Sequence, residues 1–153
     1  MKLLYEKLNG RDPHKAGLSL LETLYGGPLP EIRRTKLGKP YFPTEAVHFS
    51  ISHTRDRAFC AISDRPIGID AEELDRDISL RLAEKILSAG ELAQYHKAAD
   101  KRKALLTFWV LKEAAAKCTG EGLRIWPNHT DFSLTDSRVR ELDGCLVAVI
   151  EEK

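Results

Sequence analysis

The feature that most restricts how this chain can fold is one long helix-forming segment in its C-terminal part. From about Lys101 to Cys118 the sequence is rich in Ala, Leu and Lys, which favour helices, and Gly120 and Gly122 end the pattern. From Leu105 onward the segment is apolar on nearly every side, which predicts a central, buried helix. The few charges on it must therefore be paired or belong to a site, because isolated buried charges are costly to desolvate.

Two further helices are marked by their start signals. Asp12 followed by Pro13 is typical of an N-cap and first helical position, and a first helix is predicted from there to Gly26. Ser88 with Glu91 three residues on resembles a capping box, so another helix is predicted to begin at that point.

Short apolar stretches around these helices predict strands and therefore an α+β chain. The predicted strands are Val47–Ile51, Ala58–Ile62, Ile67–Ala71, Phe132–Leu134 and Cys145–Ile150. The first two are joined by a polar turn, as in a hairpin. The segment 28–43 shows no sustained apolar period and is interpreted as a loop or irregular strand.

Composition narrows the function classes. With 42% hydrophobic and 31% charged residues, the 153-residue chain suits one core, or two small halves that share one. Its formal net charge of +1 gives no broad footprint for nucleic acid, and no apolar run is long enough for a membrane span or a signal peptide. Cys60, Cys118 and Cys145 show no zinc-ligand spacing, so we expect free thiols and a cytoplasmic location.

The first group of candidate site residues is acidic. In Gly68-Ile69-Asp70-Ala71-Glu72, strand alternation would point Asp70 and Glu72 to the same side, roughly 7 Å apart by strand rise. Two carboxylates at the end of an apolar strand favour a bound cation, because like charges otherwise repel. The alternative is a solvated strand end that continues into Glu73.

The second group lies in the apolar helix. In Trp109-Val110-Leu111-Lys112-Glu113, followed by Lys117, the residues Glu113 and Lys117 are four apart and share a face, while Lys112 is turned to one side. The alternative is an ordinary surface pair with a flanking lysine. The apolar surroundings favour buried or active-site charges instead.

The third group combines a hydroxyl and an imidazole. Ser52 and His53 stand where a predicted strand meets its turn, and both can donate hydrogen bonds to anionic oxygens. Without a G-x-S-x-G elbow a catalytic triad is disfavoured, and the alternative is a turn-capping serine beside an exposed histidine.

Lys39 adds a cation on the stiff Gly38-Lys39-Pro40 loop. The remaining histidines lack metal-ligand spacing and are interpreted as structural or exposed: His14, His48, His96 and His129.

Taken in order, these motifs resemble the 4′-phosphopantetheinyl transferase superfamily over about residues 37 to 123. They are Gly38-Lys39-Pro40, Phe49-Ser50-Ile51-Ser52-His53, Gly68-Ile69-Asp70-Ala71-Glu72, Trp109-Val110-Leu111-Lys112-Glu113-Ala114 with Lys117, and Gly120-Glu121-Gly122-Leu123. Their order resembles the surfactin-synthetase-activating type, for which this chain is unusually short. The resemblance implies a monomer of two similar α+β halves, residues 1–66 and 67–153, forming a pseudo-dimer with the active site between them.

The resemblance also implies a reaction and its residues. The chain would transfer 4′-phosphopantetheine from coenzyme A to a serine of an acyl or peptidyl carrier protein and release 3′,5′-ADP. The implied ligands of Mg²⁺, or of Mn²⁺, are Asp70, Glu72 and Glu113. The implied contacts to coenzyme A are Lys39, Ser52, His53, Lys112 and Lys117, with Glu113 and Lys117 in catalytic roles. Two alternatives remain: a non-catalytic homologue that binds coenzyme A or a carrier protein, and a magnesium-dependent phosphohydrolase.

Overall fold

The computed structural model describes residues 1–122 and 131–153. In chain order, the elements are β1 (Lys2–Lys7), α1 (Pro13–Tyr25), β2 (Arg33–Arg34), β3 (Pro40–Tyr41), β4 (His48–His53), β5 (Arg57–Ser63), β6 (Ile67–Glu73), a 3₁₀ turn (Leu80–Leu82), α2 (Ala83–Ile86), α3 (Ala89–Lys97), α4 (Lys101–Thr119), β7 (Val139–Leu142) and β8 (Cys145–Glu151).

Two three-stranded sheets share one topology. The strands of the first sheet lie in the order β1-β5-β4 and those of the second in the order β6-β8-β7, and all neighbours are antiparallel. In each sheet the first strand is followed by helix, and the last strand lies between the other two. The predicted α+β class is confirmed. The division into halves at residue 66 stays a prediction, although only residues 64–66 connect β5 to β6.

Helix α4 is the buried centre of the second sheet's core, as its apolar pattern predicts. Leu105, Leu106 and Phe108 are fully buried, and the helix packs against β6 and β8. The contact with β6 depends on Gly68, because a Cβ built there would lie 2.0 Å from the carbonyl oxygen of Ala114. Among the described residues, no helix combines the length and apolar character needed to cross a membrane.

The predicted helix starts are confirmed by their hydrogen bonds. The Asp12 carboxylate accepts from the Lys15 backbone N–H at 2.8 Å and caps α1, which ends at Gly26 in the left-handed region. At the start of α3, Ser88 and Glu91 form both bonds of a capping box.

The predicted strand Phe132–Leu134 is wrong. The backbone N–H of Phe132 donates to the Glu91 carboxylate at 3.1 Å, and that of Leu134 donates to the Gln94 side chain at 3.0 Å. These side chains of α3 therefore satisfy backbone groups that a strand would pair with a neighbour. The hairpin partner of β8 is instead β7, an edge strand whose Arg140 and Glu141 are exposed. The apolar pattern of the sequence predicts neither β7 nor β1.

A seam of side-chain hydrogen bonds joins the two sheets. The backbone N–H of Ile69 donates to Ser50 Oγ at 3.1 Å, and that of Ala71 donates to Ser52 Oγ at 3.2 Å. Strand β4 thus meets β6 through hydroxyls, although the two strands belong to different sheets. The seam brings the end of β4 beside the acidic residues of β6.

Candidate active site

Asp70 is the buried centre of the site. Its side chain lies on β6, and Oδ1 accepts hydrogen bonds from Ser52 Oγ at 3.1 Å and from Lys117 Nζ at 2.8 Å. Oδ2 is buried and has no hydrogen-bond partner among the described residues. Burial raises the pKa of Asp70, while Lys117 and Ser52 act in the opposite direction. The site therefore contains one carboxylate oxygen that is withdrawn from water and still able to accept.

Glu72 lies two residues further along the same strand. Its carboxylate pairs with Arg76, whose guanidinium also lies over the Trp109 ring. Burial raises the pKa of Glu72, and the neighbouring Asp70 adds to this rise, whereas Arg76 lowers it.

Glu113 and Lys117 reach this region from α4, one helical turn apart. Burial, together with the charges of Asp70 and Glu72, raises the pKa of Glu113 to about 7, while Lys117 acts in the opposite direction. The carboxylates of the strand and the helix therefore act on one another, as expected if they belong to one site. The helix position follows from the close packing of α4 on β6.

The site is best tested for a metal by its donor chemistry. In residues 1–122 and 131–153, no three His, Cys, Asp or Glu side chains are arranged to hold a metal ion. Asp70 and Glu72 are engaged by the cations Lys117 and Arg76 instead. However, the site holds three mutually repelling carboxylates, and Asp70 Oδ2 is buried with no hydrogen-bond partner in the described part of the chain. Carboxylate oxygens of this kind are the donors that a hard divalent cation prefers. In this chemical sense the residues fit Mg²⁺.

A cavity of about 520 Å³ opens beside these residues and is lined by both parts of the chain. Its polar lining consists of His14, Arg34, Lys39, Ser50, His53, Glu113 and Lys117. Its apolar lining includes Leu18, Ile32, Leu37, Phe49 and Ile51. Basic and apolar groups in one cavity suit a ligand that carries phosphates on a less polar body.

Comparison with known proteins decides the family. A family model described as the 4′-phosphopantetheinyl transferase superfamily matches residues 66–145, which is more than half of the chain. The chain belongs to this superfamily. The superfamily match spans β6, α4 and β7, and it includes the acidic residues of the site.

Curated relatives in the superfamily align with part of their own length. The 4′-phosphopantetheinyl transferase gsp of Aneurinibacillus migulanus is 33% identical over 95 residues, 61% of this chain and 39% of the relative. The transferase psf-1 of Bacillus pumilus is 37% identical over 89 residues, which are 56% of this chain and 38% of the relative. The transferase HetI of Nostoc sp. is 33% identical over 122 residues, which are 71% of this chain and 52% of the relative. The chain thus spans two fifths to about half of the length of these relatives.

A solved structure also overlaps with the chain. It is the crystal structure of Thermotoga maritima holo-(acyl-carrier-protein) synthase, which covers 55% of this chain and 60% of its own at 23% identity. The TM-score between the two structures is 0.44.

Lys112 is not brought to the site. Its ammonium pairs with the Glu91 carboxylate at 2.9 Å, and the two side chains are 8% and 0% exposed. Lys112 also lies 5.8 Å from the Phe132 ring. Neighbouring helical residues project about 100° apart, so Lys112 enters the core while Glu113 reaches the cavity. Lys112 is not among the described residues that line the cavity, and its contact with coenzyme A phosphates stays a prediction.

The other predicted phosphate contacts lie at the cavity or beside it. His53 and Lys117 line the cavity, and so does Lys39, whose ammonium also donates to the Cys118 carbonyl at the end of α4. Burial lowers the pKa of Lys39. Ser52 is buried behind the cavity wall and bonded to Asp70. Contacts of these residues to phosphates stay predictions.

Sequence reasoning missed several residues of this region. His14 and Arg34 line the cavity, but they lie far from the other motifs along the chain, and no local pattern places them there. Glu91 was recognisable as a helix cap, whereas its pairing with Lys112 had no sequence signal. Leu123 of the final motif and His129 lie outside the described residues.

Proposed function

We propose that this protein transfers 4′-phosphopantetheine from coenzyme A to a serine of an acyl or peptidyl carrier protein, with Mg²⁺, and releases 3′,5′-ADP. The observation that carries the proposal is the cavity whose wall contains Glu113 and Lys117, next to the buried Asp70. The names of the relatives, all 4′-phosphopantetheinyl transferases, support the same reaction class.

In this proposal the chain's own residues move a proton and balance charge. The carrier serine oxygen bonds to the β-phosphorus of coenzyme A, and the bond from that phosphorus to the bridging oxygen of 3′,5′-ADP breaks. Glu113, whose side chain lines the cavity, takes the serine proton as a general base. The Lys117 ammonium stabilises the negative charge on the transferred phosphoryl group.

Lys39 and His53 would hold the diphosphate against the cavity wall, since both line it and both can donate to anionic oxygens. The apolar wall around Leu18 and Phe49 would receive the less polar part of coenzyme A. Asp70, Glu72 and Glu113 would hold Mg²⁺, which when bound supplies charge neutralisation at the diphosphate. The protein's contribution is then mainly positioning and electrostatics, as in other phosphoryl transfers.

The decisive experiment combines the protein with coenzyme A, Mg²⁺ and a panel of apo carrier proteins from fatty acid, polyketide and peptide synthesis. Mass spectrometry of the carriers should show a phosphopantetheine added to at least one, and chelation by EDTA should prevent it. The absence of any such addition, together with measurable coenzyme A binding, would identify a non-catalytic homologue. Release of 3′,5′-ADP without a carrier would instead identify a phosphohydrolase.

A further inference from the structure

Two alternate serines of β4 perform the same structural task. Ser50 and Ser52 are 6% and 5% exposed, and the hydroxyl of each accepts a backbone N–H of β6. Residues two apart on a strand project to the same side, which explains why both reach the same neighbouring strand. The pair provides hydroxyl acceptors where β4 and β6 have no backbone ladder.

Only one of the two serines also touches the acidic centre. Ser52 Oγ donates to Asp70 Oδ1 at 3.1 Å while it accepts from the Ala71 N–H at 3.2 Å. A hydroxyl has a single proton, so the proton given to Asp70 is not simultaneously available to a phosphate oxygen. The contact with Asp70 therefore competes with the predicted phosphate contact of Ser52.

This hydrogen bond fixes which oxygen of Asp70 is occupied. Ser52 from β4 and Lys117 from α4 both bind Oδ1, and Oδ2 keeps no hydrogen-bond partner in the part of the chain that the structure describes. Two donors from different elements hold the carboxylate in one orientation. The orientation leaves the buried Oδ2 as its unoccupied acceptor.

We propose that Ser52 is a positioning residue that holds Asp70 so that its Oδ2 is presented to the divalent cation. The inference rests on the proposed function, in which Asp70 is a ligand of that cation. Partners that orient a ligand in this way typically change metal affinity by about 10–100-fold when they are removed. The first sheet would thereby complete a metal site whose carboxylates all come from the second part of the chain.

The test compares Ser52→Ala with Ser50→Ala and Asp70→Ala. Affinity for Mn²⁺ is measured from the electron paramagnetic resonance signal of the free ion, without coenzyme A or carrier protein, and stability is measured by urea unfolding. Both serine variants lose a hydroxyl that accepts a β6 backbone N–H, and Ser52→Ala also loses the bond to Asp70, so we expect both urea midpoints to fall, that of Ser52→Ala at least as far as that of Ser50→Ala. Only Ser52→Ala should weaken Mn²⁺ binding, by about tenfold or more, and Asp70→Ala should weaken it further.

Two outcomes would overturn the proposal. Wild-type Mn²⁺ affinity in Ser52→Ala, with weakened binding in Asp70→Ala, would show that Asp70 needs no help from Ser52. Equal weakening in Ser50→Ala and Ser52→Ala would assign the effect to the seam between the sheets. Neither measurement uses coenzyme A or a carrier protein. These two outcomes can therefore be distinguished from a negative result in the transfer assay, which would contradict the proposed function itself.

Discussion

The two sheets have the same strand order, yet they bury different kinds of polar residue. In residues 1–66 the buried polar side chains are all hydroxyls, those of Ser50, Ser52, Thr54 and Ser63. In the remaining described residues the buried polar side chains include the charged Asp70, Glu73, Glu91 and Lys112. A hydroxyl can satisfy a neighbouring backbone group without adding net charge, whereas a buried charge requires a partner.

The shared strand order therefore does not determine where the charged side chains of the candidate site lie. One topology serves twice, but the three carboxylates of the candidate site all lie on the strand and helix of the second part. The first part contributes residues that line the cavity, among them Lys39 and His53, and hydrogen-bond partners. Variants that remove a buried charge or a charge of the site should therefore have large effects in the second part, and loss of a partly exposed cation at the contact between the parts should have a small effect on stability.

The largest expected effect is on catalysis. Glu113→Gln keeps nearly the same side-chain volume but cannot accept the serine proton, so turnover should fall by about 10²–10⁴-fold. Carrier modification followed by mass spectrometry measures the rate, and urea unfolding should show an intact fold. Glu84→Gln, an exposed change on α2, is the matched control and should keep normal turnover. Normal turnover in Glu113→Gln would remove Glu113 from the site.

The next effect concerns the buried ion pair of the second part. Lys112→Met leaves the fully buried Glu91 carboxylate without its cation, which should cost about 3–5 kcal/mol of unfolding free energy. Lys103→Met, also on α4, breaks an exposed pair with Glu141 and should cost at most about 1 kcal/mol. Urea denaturation checks both values, and equal losses would mean that burial of the pair has no consequence.

The contact of α4 with β6 can be disturbed by a single methyl group. In Gly68→Ala the new Cβ would meet the backbone of Ala114 and Cys118, at 2.0 Å and 2.4 Å, so the helix must shift at a cost of about 3 kcal/mol. Gly27→Ala is the control, since nothing lies within 4 Å of a Cβ there. Urea midpoints compare the two, and a Gly68→Ala protein as stable as Gly27→Ala would contradict the close packing.

A smaller effect is the pH dependence of stability. The pKa of Glu113 is raised from 4.5 to about 7 in the folded protein, which then binds more protons than the unfolded chain between these values. Its stabilising contribution is complete below about pH 4.5 and is lost as the pH rises through about 7. Allowing for partial solvent exposure, the loss should be about 1–2 kcal/mol. Glu113→Gln should remove this part of the slope, and an unchanged slope would contradict the shift.

The smallest effect lies at the contact between the two parts. The Lys39 ammonium of the first part donates to the Cys118 carbonyl in the last turn of α4, where a cation is favourable. Lys39→Met should therefore lower the unfolding free energy by about 0.5–1 kcal/mol. Lys36→Met, an exposed change in the turn between the paired strands β2 and β3, should have no measurable effect in the same urea series.

The elements that the sequence predicts well are those with strong local patterns. Helix α4 follows from a long run of helix-favouring, largely apolar residues that ends at Gly120, and the start of α3 follows from the spacing of Ser88 and Glu91. β7 escapes prediction because an edge strand with two exposed charged residues has little apolar alternation. Phe132–Leu134 has such a pattern, but Glu91 and Gln94 bind its backbone in place of a strand.

The candidate site is predictable to a similar extent. Strand alternation puts Asp70 and Glu72 on one side of β6, and helical spacing puts Glu113 and Lys117 on one face of α4, but only the family resemblance joins these two groups into one site. Lys112 pairs with Glu91 and Ser52 bonds to Asp70. These partners lie 21 and 18 residues away along the chain. Local periodicity carries no information about such partners.

The serine seam also bears on how the chain folds. Its hydrogen bonds join residues only 19 positions apart, so the length-dependent part of the chain-entropy cost of closing this loop is about 2.6 kcal/mol. Two separate copies that met through the same surfaces would have to lose translational freedom instead, and their association would depend on concentration. In one chain the seam is a low-contact-order feature that can form early, and dilution does not weaken it.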